Sequence, residues 1–465
     1  MAKTGSKEIF ETLPVPRAVR EMALPTIFGQ VVILIYNMAD TFYIGRTDDP
    51  YMVAAASLIL PVFNICLALA GLTGTGGGAL ISRLLGEGRE GDAKKVSSFS
   101  LYLSIAITAL FSLTMFTFME PILKVLGASG NTFRYARQYA MCVIVLGGIP
   151  TVLSNVMSNL LRSVGASGKA GFGVTMGGVI NIAIDPLFMF VLLPRGHEVL
   201  GAGIATLLSN CIVCAYFFVV IYKLRGQSVI SFSIKGGLPD KKYIGSIFNV
   251  GVPAAIATLL FDLDYVIIDK MMASYGDIAL ASIGIVLKAE RLPLNVGIGL
   301  CQGMLPLVAY SFAARDRKRM DAVIKYTLKV GLIVGILSII MYEICAGYIL
   351  RFFIDDAGTV ELGTEFLRIR CLATPLMFMS FFTVYIFQSF GKGNVALFLG
   401  LMRWLAFNIP MLFVLNHFVG MYGVAWSQAT ADILTVALSF YVYIRYTRRI
   451  SAEEGGPDAD GRRVT

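Results

Sequence analysis

Two aspartates stand in stretches whose neighbours should exclude water. Asp40 closes the run Tyr36-Asn37-Met38-Ala39-Asp40, and Asp185 lies in Asn181-Ile182-Ala183-Ile184-Asp185-Pro186. If both runs are helical, Tyr36, Asn37 and Asp40 share one face and Asn181 and Asp185 share another, because residues three and four apart line up. Asn155 and Asn159 repeat four apart, and Thr206 falls early in the next apolar stretch. Closed on one another, these faces would form a buried network of carboxylates, amides and hydroxyls. Such a network suits a proton or a small cation, with Asp40, Asn181 and Asp185 supplying its oxygen atoms. Two carboxylates held close together out of water cannot both stay ionised cheaply. The plainer readings are that Asp40 and Asp185 sit near a membrane surface and hydrate, and that Asn155 and Asn159 are hydrogen-bond glue between helices.

A second polar set lies in the other half of the chain. Asp262, Asp264 and Asp269 share one apolar stretch, and Lys288, Glu290 and Arg291 another; Glu343 and Arg403 stand in later ones. An ionisable group inside a bilayer costs about 2.5 to 3.5 kcal/mol on insertion scales, so it turns to a partner or a wet cavity. Asp262, Asp264, Lys288, Glu290 and Arg291 are therefore either structural ion pairs or the lining of a cavity that receives a cationic substrate. Other scans return little. The glycine run Thr73 to Gly78 follows no strand, so close helix packing is its use rather than phosphate binding. No nucleotide-binding motif appears, the acidic pairs Asp48-Asp49 and Asp355-Asp356 lack a third acid, and the two histidines, His197 and His417, lie apart. Neither a cofactor nor a structural metal is expected.

The elements that must carry these groups are membrane spans. Of 465 residues, 56% are hydrophobic and only 15% are charged, with a mean hydropathy of +0.73. A soluble domain carries roughly 25% charged residues, so this chain lacks the polar surface for water. A run of about 20 apolar residues crosses a bilayer, and breaks at glycine, proline and charge predict twelve helices. Their spans are 22–44, 52–82, 96–119, 134–161, 170–193, 200–222, 243–272, 279–312, 321–348, 361–389, 394–416 and 420–446. A soluble enzyme, a secreted disulfide scaffold and a disordered chain are excluded. The seven cysteines lie in apolar stretches, and the Cys211-x-x-Cys214 pair has no second pair to join.

The formal charge of +9 belongs to short loops, which argues for membrane orientation and against nucleic acid. With the termini inside, the inner segments hold 25 Lys and Arg and the outer ones 9, Arg368 and Arg370 among the latter. That excess places both termini in the cytoplasm. The polar stretch Lys223 to Lys242 divides the helices six and six: residues 1–222 form one lobe, 223–242 a linker, 243–446 a second lobe and 447–465 a charged tail. The halves echo each other. Leu24-Pro25 recurs as Val252-Pro253, Ser163-Val164-Gly165 as Ser389-Phe390-Gly391, and Gly201 to Ala205 as Met421 to Ala425. Two like halves in the same orientation imply a pseudo-two-fold axis along the membrane normal and a cavity between them, the architecture of a carrier.

In order, Leu24-Pro25, Tyr36 to Thr41, the block Gly71 to Ala93, Leu161 to Gly165 and Asn181 to Pro186 resemble the multidrug and toxic compound extrusion (MATE) family. The resemblance runs over roughly residues 15 to 445. It implies an all-α polytopic protein of two pseudo-symmetric six-helix bundles that alternate access to a central cavity. It further implies export of organic cations and amphipathic drugs in exchange for H+ or Na+. In members with a first-lobe cation site, the matching positions here are Asp40, Asn181, Asp185 and Thr206, with Tyr36 beside them and Asn159 or Asn155 as the helix-4 amide. Pro25 matches a proline at which helix 1 bends. Ion coupling is therefore expected in the first lobe, in a monomer in the bacterial inner membrane. The rival activities are flipping a lipid-linked oligosaccharide and exporting an endogenous amphipathic metabolite; an intramembrane enzyme is not expected.

Overall fold

The computed structural model describes residues 8–455 apart from Asp48 and 234–236, and the side chains of Asp262 and of 450–455 lie outside the description. The reading of Asp262 as a cavity residue and most of the tail at 447–465 therefore fall outside the described side chains.

Among the described residues the chain is helical throughout. The first half comprises α1 (Val15–Gly45), α2 (Pro50–Gly86), α3 (Glu90–Thr117), α4 in two pieces (Gly130–Leu146 and Gly148–Ser163), α5 (Ser167–Leu192) and α6 (Glu198–Lys223). The second comprises α7 (Lys241–Ala273), α8 (Asp277–Ala313), α9 (Arg317–Phe353), α10 in two pieces (Ala357–Cys371 and Thr374–Ser389), α11 (Gly393–Val419) and α12 (Met421–Gly455). Nine of these helices are long and apolar enough to cross a bilayer unaided, or eleven with each broken pair counted as one span. The exception is α12, whose buried face carries Ser427, Gln428, Asp432, Thr435 and Ser439. Its polarity has a structural cause, since Asp432 and Gln428 belong to an ion network described below.

Local signals explain the boundaries. Pro50 opens α2 where a missing N–H costs nothing, and the Asp49 carboxylate accepts from the Tyr51 N–H at 2.8 Å. Ser129 and Thr132 form a reciprocal cap at the start of α4. The sequence reading took helices 4 and 10 as straight spans; both are broken, by 45° and 46°. Each break lies just ahead of a proline, Pro150 or Pro375, which cannot donate to the preceding turn. Both broken helices end alike, on Gly165 at φ 83° and Gly391 at φ 70°, the left-handed conformation that glycine adopts without strain. The repeated tripeptides thus mark the same turn in each half.

The halves meet along α2 with α7 and α1 with α8, at the end of the molecule that carries both termini. There Gly251 of α7 presses on the Leu72 backbone of α2, and Gly303 of α8 on Ala23 of α1, with no room for a Cβ at either glycine. The cores interlock as well. Phe10, Leu13, Ala18 and Met22 pack into the core of α8, α9 and α10, while Tyr243 and Ile247 of α7 pack into that of α2 to α6. Ahead of α1, Phe10 stacks on Tyr310 with ring centres 4.7 Å apart, and the Tyr310 hydroxyl donates to the Glu11 carboxylate. Arg319 donates to the carbonyls of Ile9 and Leu13 at 2.9 Å each.

Candidate ion and substrate site

Helices α1 and α5 run parallel in close contact. Gly171 lies against the Pro25 carbonyl, Gly29 against Val174, and Gly178 against Val32 and the Tyr36 ring. The same register carries Asp40 to Asp185, and the two carboxyl groups lie within hydrogen-bonding reach of each other. Asp185 is fully buried, and its Oδ1 accepts from the Asn181 amide at 3.2 Å. The antiparallel contact of α5 with α6 sets Gly177 on Val213 and Gly201 on Phe188 and Met189, which brings Thr206 to the level of Asp185.

The first-lobe set is short of partners. Asp40 Oδ1, Asp185 Oδ2, Asn181 Oδ1 and Thr206 Oγ1 are all buried without a hydrogen bond. Burying a polar atom unpaired is costly, and native interiors seldom do it. No basic side chain among the described residues pairs with Asp40 or Asp185. A cluster of hard oxygen atoms with excess negative charge and no cationic partner fits a proton or a small alkali cation. Tyr36 and Tyr139 bring their phenols into the same electrostatic neighbourhood. Tyr139 was not singled out in the sequence. It stands 99 positions from Asp40 and 46 from Asp185 in the chain, and the packing of Tyr139 and Cys142 on Gly203 of α6 brings it here.

Two residues assigned to this site are spent elsewhere. The Asn155 amide donates to the Thr151 carbonyl at 2.9 Å, and that of Asn159 to the Asn155 carbonyl at 3.1 Å. The Asn159 oxygen accepts from Arg162 instead of facing the aspartates. Both asparagines lie beyond the break in α4, which turns this piece of the helix toward the boundary between the lobes. Pro25 stands inside α1, which remains helical through it. Proline leaves the Glu21 carbonyl without its helical donor. The neighbouring Met22 carbonyl accepts from the Thr26 hydroxyl at 3.0 Å and from the Ser167 hydroxyl of α5 at 2.6 Å. The weak point of α1 is thus tied to the helix that carries Asp185.

The second-lobe charges behave differently. Glu290 is held by two hydrogen bonds from Arg370, at 2.7 and 2.8 Å, both residues being buried. Arg370 reaches on to Gln428, Gln428 donates to Asp432, and Asp432 accepts from Arg403 at 2.9 Å. Arg403 also lies over the rings of Phe381 and Trp404. Asp264 is buried and accepts from the Asn408 amide. Arg403 and Asn408 stand on a widened, π-type turn of α11, which re-aims both inward. Lys288 is exposed, and Arg291 lies over the Tyr265 ring at 4.8 Å. Of the residues read as a substrate cavity, Glu290 is thus a structural ion pair. Arg370, counted with the outer loops, is one of the most buried charges in the chain.

The family model MatE matches residues 25–187 and again 253–414, once in each half. The Multidrug export protein MepA of Staphylococcus aureus (strain N315) is 32% identical over 438 residues, covering 94% of this chain and 95% of that protein. The protein of the same name from Staphylococcus haemolyticus (strain JCSC1435) is 30% identical over 447 residues, covering 96% and 97%. Among solved structures, the outward-facing conformation of a multidrug resistance MATE family transporter of the MOP superfamily superposes with a TM-score of 0.90 at 22% identity, over 97% of this chain and 99% of that one. The Vibrio cholerae MATE transporter VcmN superposes at 0.87 with 19% identity, over 96% and 98%. The duplicated family match, the relatives and the two-lobe helical fold agree: this chain belongs to the MatE family, and it is a multi-span membrane transporter of the MATE type.

Proposed function

We propose that the chain exports amphipathic and cationic drugs in exchange for H+ or Na+, with the coupling ion held by Asp40, Asp185, Asn181 and Thr206. In this reading it acts as a monomer in the bacterial plasma membrane, both termini cytoplasmic. An ion arriving from outside neutralises the buried carboxylates and relieves their unpaired oxygens. That changes how α1 packs on α5 around Pro25, and with it the shape of the cleft between the lobes. Coupling requires that the ion bind the two access states with unequal affinity.

The observation that carries the assignment is the contrast between the lobes. Among the described residues Asp40 and Asp185 lack basic partners, whereas Glu290 and Asp432 in the second lobe are each held by an arginine. A carboxylate already paired with a guanidinium has little left to offer a transported cation. The drug specificity follows the names of the relatives, both multidrug export proteins. The test is dye flux in proteoliposomes under separately imposed proton and sodium gradients. Flux driven by one gradient names the ion, and absence of flux under both, with folded protein, would overturn the reading.

A further inference from the structure

Three arginines are buried among the described residues. Arg370 and Arg403 each bind a carboxylate; Arg162 binds none. Arg162 is 7% exposed at the end of α4, where that helix meets the second lobe. One of its terminal nitrogens donates to the Asn159 amide oxygen at 3.1 Å and to the Gln302 amide oxygen of α8 at 3.3 Å. Its Nε–H is buried with no acceptor at all. The Gln302 oxygen is already shared, since the Gln30 amide of α1 donates to it at 3.0 Å. Around this point lies a small pocket between the lobes, with Arg162, Asn159 and Gly74 on one side and Gln302, Tyr385 and Leu305 on the other.

A full positive charge served only by neutral, shared amide oxygens is under-compensated. Arg370 shows what the same side chain binds elsewhere in this protein, a carboxylate gripped by two parallel hydrogen bonds. We infer that Arg162 forms an oxyanion subsite at the floor of the inter-lobe cleft, which takes the carboxylate of an amphipathic substrate. The Nε–H supplies one prong and a terminal nitrogen the other, while the apolar body of the ligand lies on Leu305 and Pro306. The cleft would then accept zwitterionic and acidic amphipaths as well as cations. The inference rests on the export reading, because it takes the inter-lobe pocket to be where cargo sits.

The test uses a matched pair of dyes, tetramethylrhodamine with its free carboxylate and its methyl ester, bound to the full chain in detergent micelles and followed by fluorescence anisotropy. In the native protein the acid should bind at least as tightly as the ester. Arg162→Gln should shift the ratio of the two dissociation constants about tenfold against the acid, as expected for loss of a charge-assisted hydrogen-bond pair. Arg162→Lys should restore part of that ratio, with folding of both variants checked by helical circular dichroism and a monodisperse elution peak. Ester binding with a ratio blind to Arg162 would overturn the subsite and leave the cationic-drug reading standing. Arg162-dependent binding of the acid with no binding of the ester would uphold the subsite and overturn that reading.

Discussion

Arg370 of α10 grips Glu290 of α8 through two hydrogen bonds of 2.7 and 2.8 Å, and among the described residues no basic side chain does the same for Asp40 or Asp185 in the other lobe. Two halves built on one plan have thus taken opposite electrostatic courses. The second lobe ties α8, α10, α11 and α12 together through a continuous buried network. The first leaves Asp40 and Asp185 without a basic partner among the described residues, Asp40 on the helix that Pro25 weakens.

Breaking the Glu290–Arg370 pair should be costly. Glu290→Gln leaves the Arg370 guanidinium buried against a neutral amide, and removing one member of a buried pair costs about 3 to 5 kcal/mol. The double variant Glu290→Gln with Arg370→Met should recover much of that loss, since both charges are then gone. Thermal unfolding in micelles, followed by circular dichroism, checks the order native, double, single.

Asp40→Asn should abolish gradient-driven dye efflux while the protein still reaches the membrane in normal amount. The substitution keeps the shape of the side chain and removes its charge, so a purely packing role predicts near-native flux. Proteoliposome transport of native and variant protein, reconstituted at equal density, separates the two.

Gly251 sets how closely the lobes approach. A side chain there would run into the Leu72 backbone, so Gly251→Val should destabilise the closed end by about 1 to 3 kcal/mol, the usual cost of overpacking. Gly245→Val, six residues earlier on the same helix, meets open space and serves as the control. Unfolding temperatures of the two variants should diverge clearly.

The start of α10 should respond to pH. The Asp356 carboxylate accepts from the Thr359 hydroxyl at 2.7 Å and from the Thr359 N–H at 2.8 Å. The hydroxyl first, and then the backbone N–H, hold its carboxyl below the ordinary carboxylate range. The folded value being the lower one, the cap contributes fully above the ordinary value and is lost as pH falls through the depressed one. Amide exchange in the first turn of α10, corrected for intrinsic rates, should quicken as pH drops from about 5 to 3. In Asp356→Asn that acid-dependent change should disappear.

Much of the architecture was legible in the sequence because a bilayer leaves the backbone few choices. The twelve expected stretches each correspond to a helix or a broken helix, and the repeated tripeptides mark equivalent turns. The breaks in α4 and α10 were missed because apolar composition continues through them. Proline was the available signal, at Pro150 and Pro375. Asp432 was missed although 420–446 was read as a span, because the Arg403 that pairs with it lies 29 positions away on another helix, and Arg370 because it was counted among the outer-loop cations.

By itself the sequence determined that the chain is a duplicated, helical membrane carrier, and that Asp40, Asn181 and Asp185 are out of place in its apolar spans. Hydrophobicity and helical spacing are local properties, and each can be read from a few neighbouring residues. The tertiary structure decided which charges meet. It joined Glu290 to Arg370 across 80 positions of chain and Arg403 to Asp432 across 29, and it turned Asn159 from the aspartates to Arg162. Whether a buried charge is paired or waiting for a ligand depends on groups far away in sequence, and only the packing of helices brings those groups within a few ångströms.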